Sequence, residues 1–225
     1  MIKIKVCGIT SVDDALWAAD AGADALGLIF VEGTPRYVTP AGAAAIVAAL
    51  PPFVWPVGVF WDHPTAHVRA VATECGLHAV QLHGTEPPEA VTALDLPVLK
   101  TVKVGGREDL AALDRYKPAA FLLDSAARWS EGEARTPISW TLAREAAARG
   151  RIILSAGLTP ETVSKAIRVA RPWGVDVNSG VEAVPGRKDP AKVRRFVRAA
   201  REAGLALGAE DAEGHGVAEP GVDRG

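Results

Sequence analysis

Ile2-Lys3-Ile4-Lys5-Val6-Cys7-Gly8-Ile9-Thr10 alternates apolar and basic residues and then sets a thiol where the run must stop. Period-two alternation of this kind reads as a strand, and Gly8 lets the backbone turn directly after it. Near the other end, Val175-Asp176-Val177-Asn178-Ser179-Gly180-Val181-Glu182 repeats the plan, with an apolar strand running into a small-residue turn. First and last strands that both finish this way point to a ring of parallel strands whose chemistry lies along one rim.

Outward from these two ends, β-branched apolar runs alternate with alanine-rich stretches of helical period, the signature of repeated βα units. The pattern predicts strands at Ile2–Cys7, Ala25–Phe30, Val54–Phe60, Ala79–Leu82, Val98–Val102, Ala119–Leu123, Ile152–Ser155 and Gly174–Val177. Helices are expected near Val12–Ala21, Pro40–Leu50, Pro64–Cys75, Pro87–Leu94, Arg107–Tyr116, Ile138–Arg149, Pro160–Ala170 and Pro190–Ala203. Thr39-Pro40, Thr159-Pro160 and Asp189-Pro190 each offer a capping oxygen followed by a residue with preset φ. Eight such units predict an α/β chain folded as a single (β/α)₈ TIM barrel over residues 1–203. An open doubly wound sheet would carry a GxGxxG turn after its first strand, and Cys7-Gly8-Ile9-Thr10 is not one.

A length of 225 residues suits one such barrel. A formal net charge of −2 argues against a surface built to neutralise nucleic-acid phosphates. Cys7 and Cys75 have neither metal-ligand spacing nor a disulfide framework, which fits a reducing cytoplasm. The N-terminus enters a strand at once without a signal-peptide pattern, and no apolar run reaches the roughly 18 residues that span a bilayer. From Gly204 the chain becomes polar, with five acidic residues and one basic, and 204–225 is expected to be a disordered acidic tail. Without that tail the remaining chain carries +2, a mild excess suited to an anionic ligand.

In a barrel of this class the catalytic groups project from strand C-termini, and phosphate often sits over the loops after strands seven and eight. The strand ends supply Cys7, Arg36 in the loop after the second strand, His83, Lys100, Asp124, Gly157, and Asp176 with Ser179-Gly180. Cys7 is either a small buried residue or, facing the rim, a base once ionised. Cys75, on a helix before Gly76, reads as core. Asp124 ends the apolar run Phe121-Leu122-Leu123, where partial desolvation would favour a protonated, donating carboxyl; a turn-capping acid is the plainer reading. Arg36 is either a solvated surface charge or a planar fork for a carboxylate. Gly157 and Ser179-Gly180 would let backbone N–H groups approach a phosphate. His83 is a base, an orienting group or a structural turn residue. Lys100 raises a Schiff-base aldolase as an alternative, and otherwise closes the barrel layers.

Taken together, Lys5-Val6-Cys7-Gly8-Ile9-Thr10, Gly33-Thr34-Pro35-Arg36-Tyr37-Val38, Gln81-Leu82-His83-Gly84, Leu122-Leu123-Asp124 and the Val175–Glu182 segment resemble phosphoribosylanthranilate isomerase. The resemblance runs from Lys3 to about Ala203, keeps the motif order and includes Pro185-Gly186-Arg187-Lys188-Asp189-Pro190. It implies an isomerase of tryptophan biosynthesis that carries out an Amadori rearrangement of N-(5-phosphoribosyl)anthranilate. It implies Asp124 as general acid and Cys7 as general base. Arg36 would hold the anthranilate carboxylate, the Gly157 and Ser179-Gly180 turns the phosphate, and His83 and Asp176 would contact substrate or support the site. The expected partner is a small phosphosugar, with no cofactor, no metal, no nucleic acid, no membrane, and a monomer or homodimer as the assembly. Two features depart from the family pattern. Gly132-Glu133-Ala134-Arg135 stands where a glycine-rich loop is usual, and Ala156 where a second glycine is common. A barrel kept only for binding or as a scaffold is the reading the altered Glu133–Arg135 loop would favour.

Overall fold

A computed structural model describes residues 1–125, 138–155 and 157–214, with side chains as far as Asp211. Eight parallel strands close into a barrel in sequence order. They are β1 (Lys3–Cys7), β2 (Ala25–Ile29), β3 (Trp55–Phe60), β4 (Ala79–Leu82), β5 (Val98–Val104), β6 (Ala120–Ser125), β7 (Ile152–Leu154) and β8 (Gly174–Val177). Closure is made by β1 against β8, with Lys5 level with Asp176. The connecting helices are α1 (Val12–Asp20), α2 (Pro40–Ala48), α3 (Thr65–Cys75), α4 (Pro88–Thr92), α5 (Trp140–Ala146) and α6 (Val163–Ala170), with a 3₁₀ helix at Arg107–Arg115 after β5. After β8 come a short hairpin, β9 (Glu182–Val184) and β10 (Arg187–Lys188), and then α7 (Pro190–Gly214).

Strand side chains alternate between two environments. Ile4, Val6, Leu26, Leu28, Phe60, Leu82, Leu123 and Val177 face outward into the core between barrel and helices. The opposite parity points into the barrel, where Leu99, Ala120, Leu122 and Ile153 form a small separate apolar layer. Above that layer the inward positions turn polar: Lys5, Gln81, Thr101, Asp124, Ser155 and Asp176 are all buried. This change of character along the strands builds the site.

The expected caps are met at two of three helices. Thr39 accepts from the Gly42 amide, and Asp189 accepts from Ala191 and Lys192. The third helix starts later than expected, at Val163 rather than Pro160, because Thr159 turns back onto Thr162 first. A larger difference concerns the tail. Residues 204–214, expected to be disordered, continue α7 as helix. Gly204 does not end the helix: a Cβ there would lie 2.6 Å from Ile2 Cγ2, so glycine permits close packing on Ile2, just ahead of β1. Arg171 then pairs with Glu210 and Asp211, giving the acidic run a partner. Residues 215–225 lie outside the described residues.

Candidate active site

Cys7 is the last inward residue of β1 and only 5% exposed. Two positions below it on the same face, Lys5 makes a buried ion pair with Asp176, Nζ to Oδ1 at 2.8 Å. Ser155, at the end of β7, donates to the other Asp176 oxygen at 3.2 Å. Gly27 on β2 makes the space for this group. A Cβ there would come within 2.6 Å of Cys7 Sγ and 3.1 Å of Lys5 Nζ, so thiol and ammonium share one niche.

The electrostatics of that niche are opposed. Burial pushes the Cys7 thiol up, the Lys5 ammonium pulls it down, Asp176 pushes it up again, and the balance leaves it above an ordinary thiol. Burial alone would lower Lys5, but Asp176 and then Cys7 outweigh it and leave its ammonium raised. At neutral pH, therefore, the free protein holds Cys7 mainly as a thiol. Burial outweighs the positive neighbours, so ionisation of Cys7 is a separate step that any role as a base would require.

Arg36 projects from the loop between β2 and α2. Its Nε and Nη2 bind both oxygens of Glu182 at 2.8 and 2.7 Å. Glu182 also receives the fully buried Lys188 at 3.1 Å. Burial works against the Glu182 charge, yet the Arg36 fork and Lys188 hold its carboxyl below the usual range. Lys188 is pushed down by burial, with Glu182 and Cys7 opposing. The hairpin is what brings these groups in. Thr10 donates to the Gly186 carbonyl at its turn, and a Cβ on Gly186 would overlap the Pro35 carbonyl oxygen. Thus β9 and β10 clamp the loops that follow β1 and β2.

Across the mouth stands a different arrangement. Asp124 is buried on β6 and accepts from the Ser125 amide through Oδ1. Its Oδ2 lies 3.5 Å from His83 Nε2. The other His83 nitrogen is met by Gln81 Nε2 at 3.0 Å and the Thr101 hydroxyl at 3.1 Å, both inward residues of β4 and β5. At the remaining side, Gly157 has φ of +72°, and a Cβ on Gly180 would overlap the Leu158 carbonyl oxygen. The turns after β7 and β8 therefore lie against each other, with exposed Gly157 and Ser179 at their surface.

Of the expected site residues, Cys7, Asp124, His83 and Asp176 occupy inward positions at the C-terminal end of the barrel. Arg36, Gly157, Ser179 and Gly180 occupy loops on that same end. Lys100 does not join them. It faces outward, buried, and donates to the Gly84 carbonyl at 2.8 Å and to Glu86 at 2.9 Å. The Glu133–Arg135 segment and Ala156 lie outside the described residues. Sequence reading passed over Lys5, Glu182 and Lys188 as participants, although Lys5 shares the period-two face of Cys7 and was visible there. Cys75 is buried in the core as expected. Among the described residues, no group of three or more His, Cys, Asp or Glu is placed to hold a metal ion.

Comparison with known proteins gives one consistent answer. The family model for N-(5'-phosphoribosyl)anthranilate isomerase matches residues 4–199. The protein of that name from Pelobacter propionicus is 46% identical over 202 residues, covering 90% of this chain and 97% of its relative. The phosphoribosyl anthranilate isomerase of Thermotoga maritima has a TM-score of 0.83 at 40% identity, covering 90% of this chain and 100% of that one. That organism's enzyme is dimeric. A further isomerase structure, in complex with reduced 1-(o-carboxyphenylamino)-1-deoxyribulose 5-phosphate, has a TM-score of 0.80 at 39% identity and covers 90% and 100% of the two chains. With a closed barrel in the same strand order and relatives matched along nearly their whole length, this chain belongs to the N-(5'-phosphoribosyl)anthranilate isomerase family.

Proposed function

We propose that this chain converts N-(5-phosphoribosyl)anthranilate to 1-(2-carboxyphenylamino)-1-deoxyribulose 5-phosphate, with Asp124 as general acid and Cys7 as general base. One observation carries the assignment of roles. Cys7 and Asp124 are inward residues at the same end of the barrel, separated by β7 and β8, on whose turns a phosphate would rest. A ribose anchored there by its phosphate lies between a thiol and a carboxyl.

The reaction runs as two proton transfers of opposite sense. Asp124 gives its proton to the furanose ring oxygen, the C1′–O bond breaks, and the anilino nitrogen lone pair closes an iminium at C1′. That iminium acidifies the C2′ hydrogen, which Cys7 removes as thiolate while the electrons form an enolamine. Protonation at C1′ and loss of the enol proton at O2′ give the ketone. Because burial holds Cys7 as a thiol, its proton must leave before it can act, and Lys5 is the ammonium that makes this possible. Of the five N–H groups on Arg36, the Glu182 fork uses two, and the rest remain to bind the anthranilate carboxylate. Asp176 positions Lys5 beneath the thiol, and His83 orients Asp124 toward the sugar. The test is loss of phosphoribosylanthranilate fluorescence on the purified protein. Turnover supports the reading, and ligand binding without conversion supports the binding-only alternative.

Assembly follows from the opposite end of the barrel. There a cavity of about 410 Å³ is lined by Trp55, Leu99, Ile153, Trp173 and Arg151, with Phe53 at its lip. Phe53 is 91% exposed on the loop before β3, and Trp55 and Trp173 are each more than 40% exposed. A protruding ring beside an apolar bowl is self-complementary under a two-fold axis. We therefore assign a homodimer joined through this face. The two free buried thiols fit a reducing compartment such as the cytoplasm.

A further inference from the structure

We propose that Trp61 determines specificity at this site by supplying the wall on which the aminobenzoate ring of the substrate rests. The inference builds on the functional reading above and adds a residue that the reading does not use.

Trp61 follows β3 directly. Trp55, Val57 and Val59 share the inward parity of that strand, so the next inward position is Trp61, at the mouth. Its indole lies 5.2 Å from the His83 ring, tilted by 39°. Lys103, the top inward residue of β5, places its ammonium 4.4 Å from the indole centroid. Trp61 is nonetheless 44% exposed, so much of this ring is open at the mouth next to the His83–Asp124 pair.

The loop that carries Trp61 is fixed in place. Asp62 has φ of +53°, one of two non-glycine residues with positive φ among those described. Such a conformation persists only where its surroundings enforce it. Here the Asp62 amide donates to Glu86 at 2.9 Å, and its carboxylate accepts from the Thr85 amide at 2.6 Å and hydroxyl at 3.1 Å. Glu86 is anchored in turn by Lys100. The outward lysine of β5 thus holds the turn that directs the indole over the mouth.

Substrate geometry supplies the ligand. With phosphate on the turns after β7 and β8, and ribose between Cys7 and Asp124, the far end of the molecule points to the opposite arc of an eight-strand ring. That arc is β2 to β4, where Arg36 and Trp61 stand. Arg36 offers donors for the carboxylate, and Trp61 offers a flat apolar partner for the ring bearing it. Lys103 is exposed on a flexible stem and yields the indole face when the ring arrives.

The test is calorimetric titration of wild type, Trp61→Phe and Trp61→Ala with reduced 1-(2-carboxyphenylamino)-1-deoxyribulose 5-phosphate, and separately with inorganic phosphate, alongside steady-state kinetics. Trp61→Ala is expected to weaken the aromatic ligand about tenfold and to leave phosphate affinity in place. The kinetic loss should fall on KM more than on kcat, and Trp61→Phe should restore most of the affinity. Equal binding of the aromatic ligand by wild type and Trp61→Ala overturns the inference, as does a parallel loss of phosphate binding. Failure of wild type to bind the aromatic ligand overturns the functional reading itself, and this inference with it.

Discussion

The two arcs of the barrel mouth solve opposite problems. On the arc of β8, β1 and β2, charges are packed densely out of water: Lys5 with Asp176, and Lys188 and Arg36 with Glu182. On the arc of β3 to β6, Asp124 stands against His83, whose other nitrogen meets Gln81 and Thr101, with the Trp61 indole and the Lys103 ammonium beside it. A base that must lose a proton in a buried niche needs cations close by. An acid that must deliver a proton needs a fixed orientation, and the His83 contact gives Asp124 one. The rim is thus divided into a half of buried ion pairs and a half where the acid meets an imidazole and an indole stands open at the mouth.

The difference can be broken from either side. Asp124→Asn removes the proton donor while keeping its shape, and kcat is expected to fall by about 10²–10⁴, measured by loss of substrate fluorescence. On the other arc, Lys5→Met leaves Asp176 buried without its partner and should cost about 3–5 kcal/mol in chemical denaturation. The same change removes the ammonium that pulls Cys7 down. Since the thiolate is the reactive form, its fraction at pH 7 must shrink and the Cys7 alkylation rate must fall. Asp176→Asn should shift alkylation the other way, because the carboxylate that pushes the thiol up is gone.

Without mutation, the same asymmetry has a pH signature. Cys7 sits above the ordinary thiol value of about 8.5, so alkylation by iodoacetamide should climb about tenfold per pH unit across the neutral range. A plateau beginning below pH 7.5 would show that Lys5 dominates burial after all. The smallest effect on activity belongs to the far end of the molecule. Phe53→Glu should convert a dimer to monomers in sedimentation, because burial of one such ring stabilises an interface by about 1.5–3 kcal/mol. Turnover per chain should persist, since Phe53 itself stands on the loop before β3, at the end of the barrel opposite the mouth.

The barrel and its rim were legible because they rest on local rules. Alternation in β1 and β8, the Thr39 and Asp189 caps and eight βα repeats each follow from neighbours in sequence. The position of Cys7 and Asp124 at one end follows from strand direction alone. What escaped depends on contacts far apart in the chain. Lys5 meets Asp176 across the barrel seam, and Arg36 meets Glu182 through a hairpin whose position no local pattern fixes. Burial of Cys7 likewise comes from packing, so its protonation state could not be read from position. The helical continuation to Gly214 was missed for a related reason. Gly204 looks like a stop until Ile2 is seen beneath it.

One rate decides the central claim, that a thiol on β1 takes the C2′ proton while a carboxyl on β6 gives a proton to the ring oxygen. It is the single-turnover rate of Cys7→Ser, taken on protein whose circular dichroism and unfolding midpoint match wild type. The serine hydroxyl is a far poorer base, so the rate should drop by about 10²–10⁴ with substrate still bound. A rate within threefold of wild type would place the base elsewhere and contradict the account.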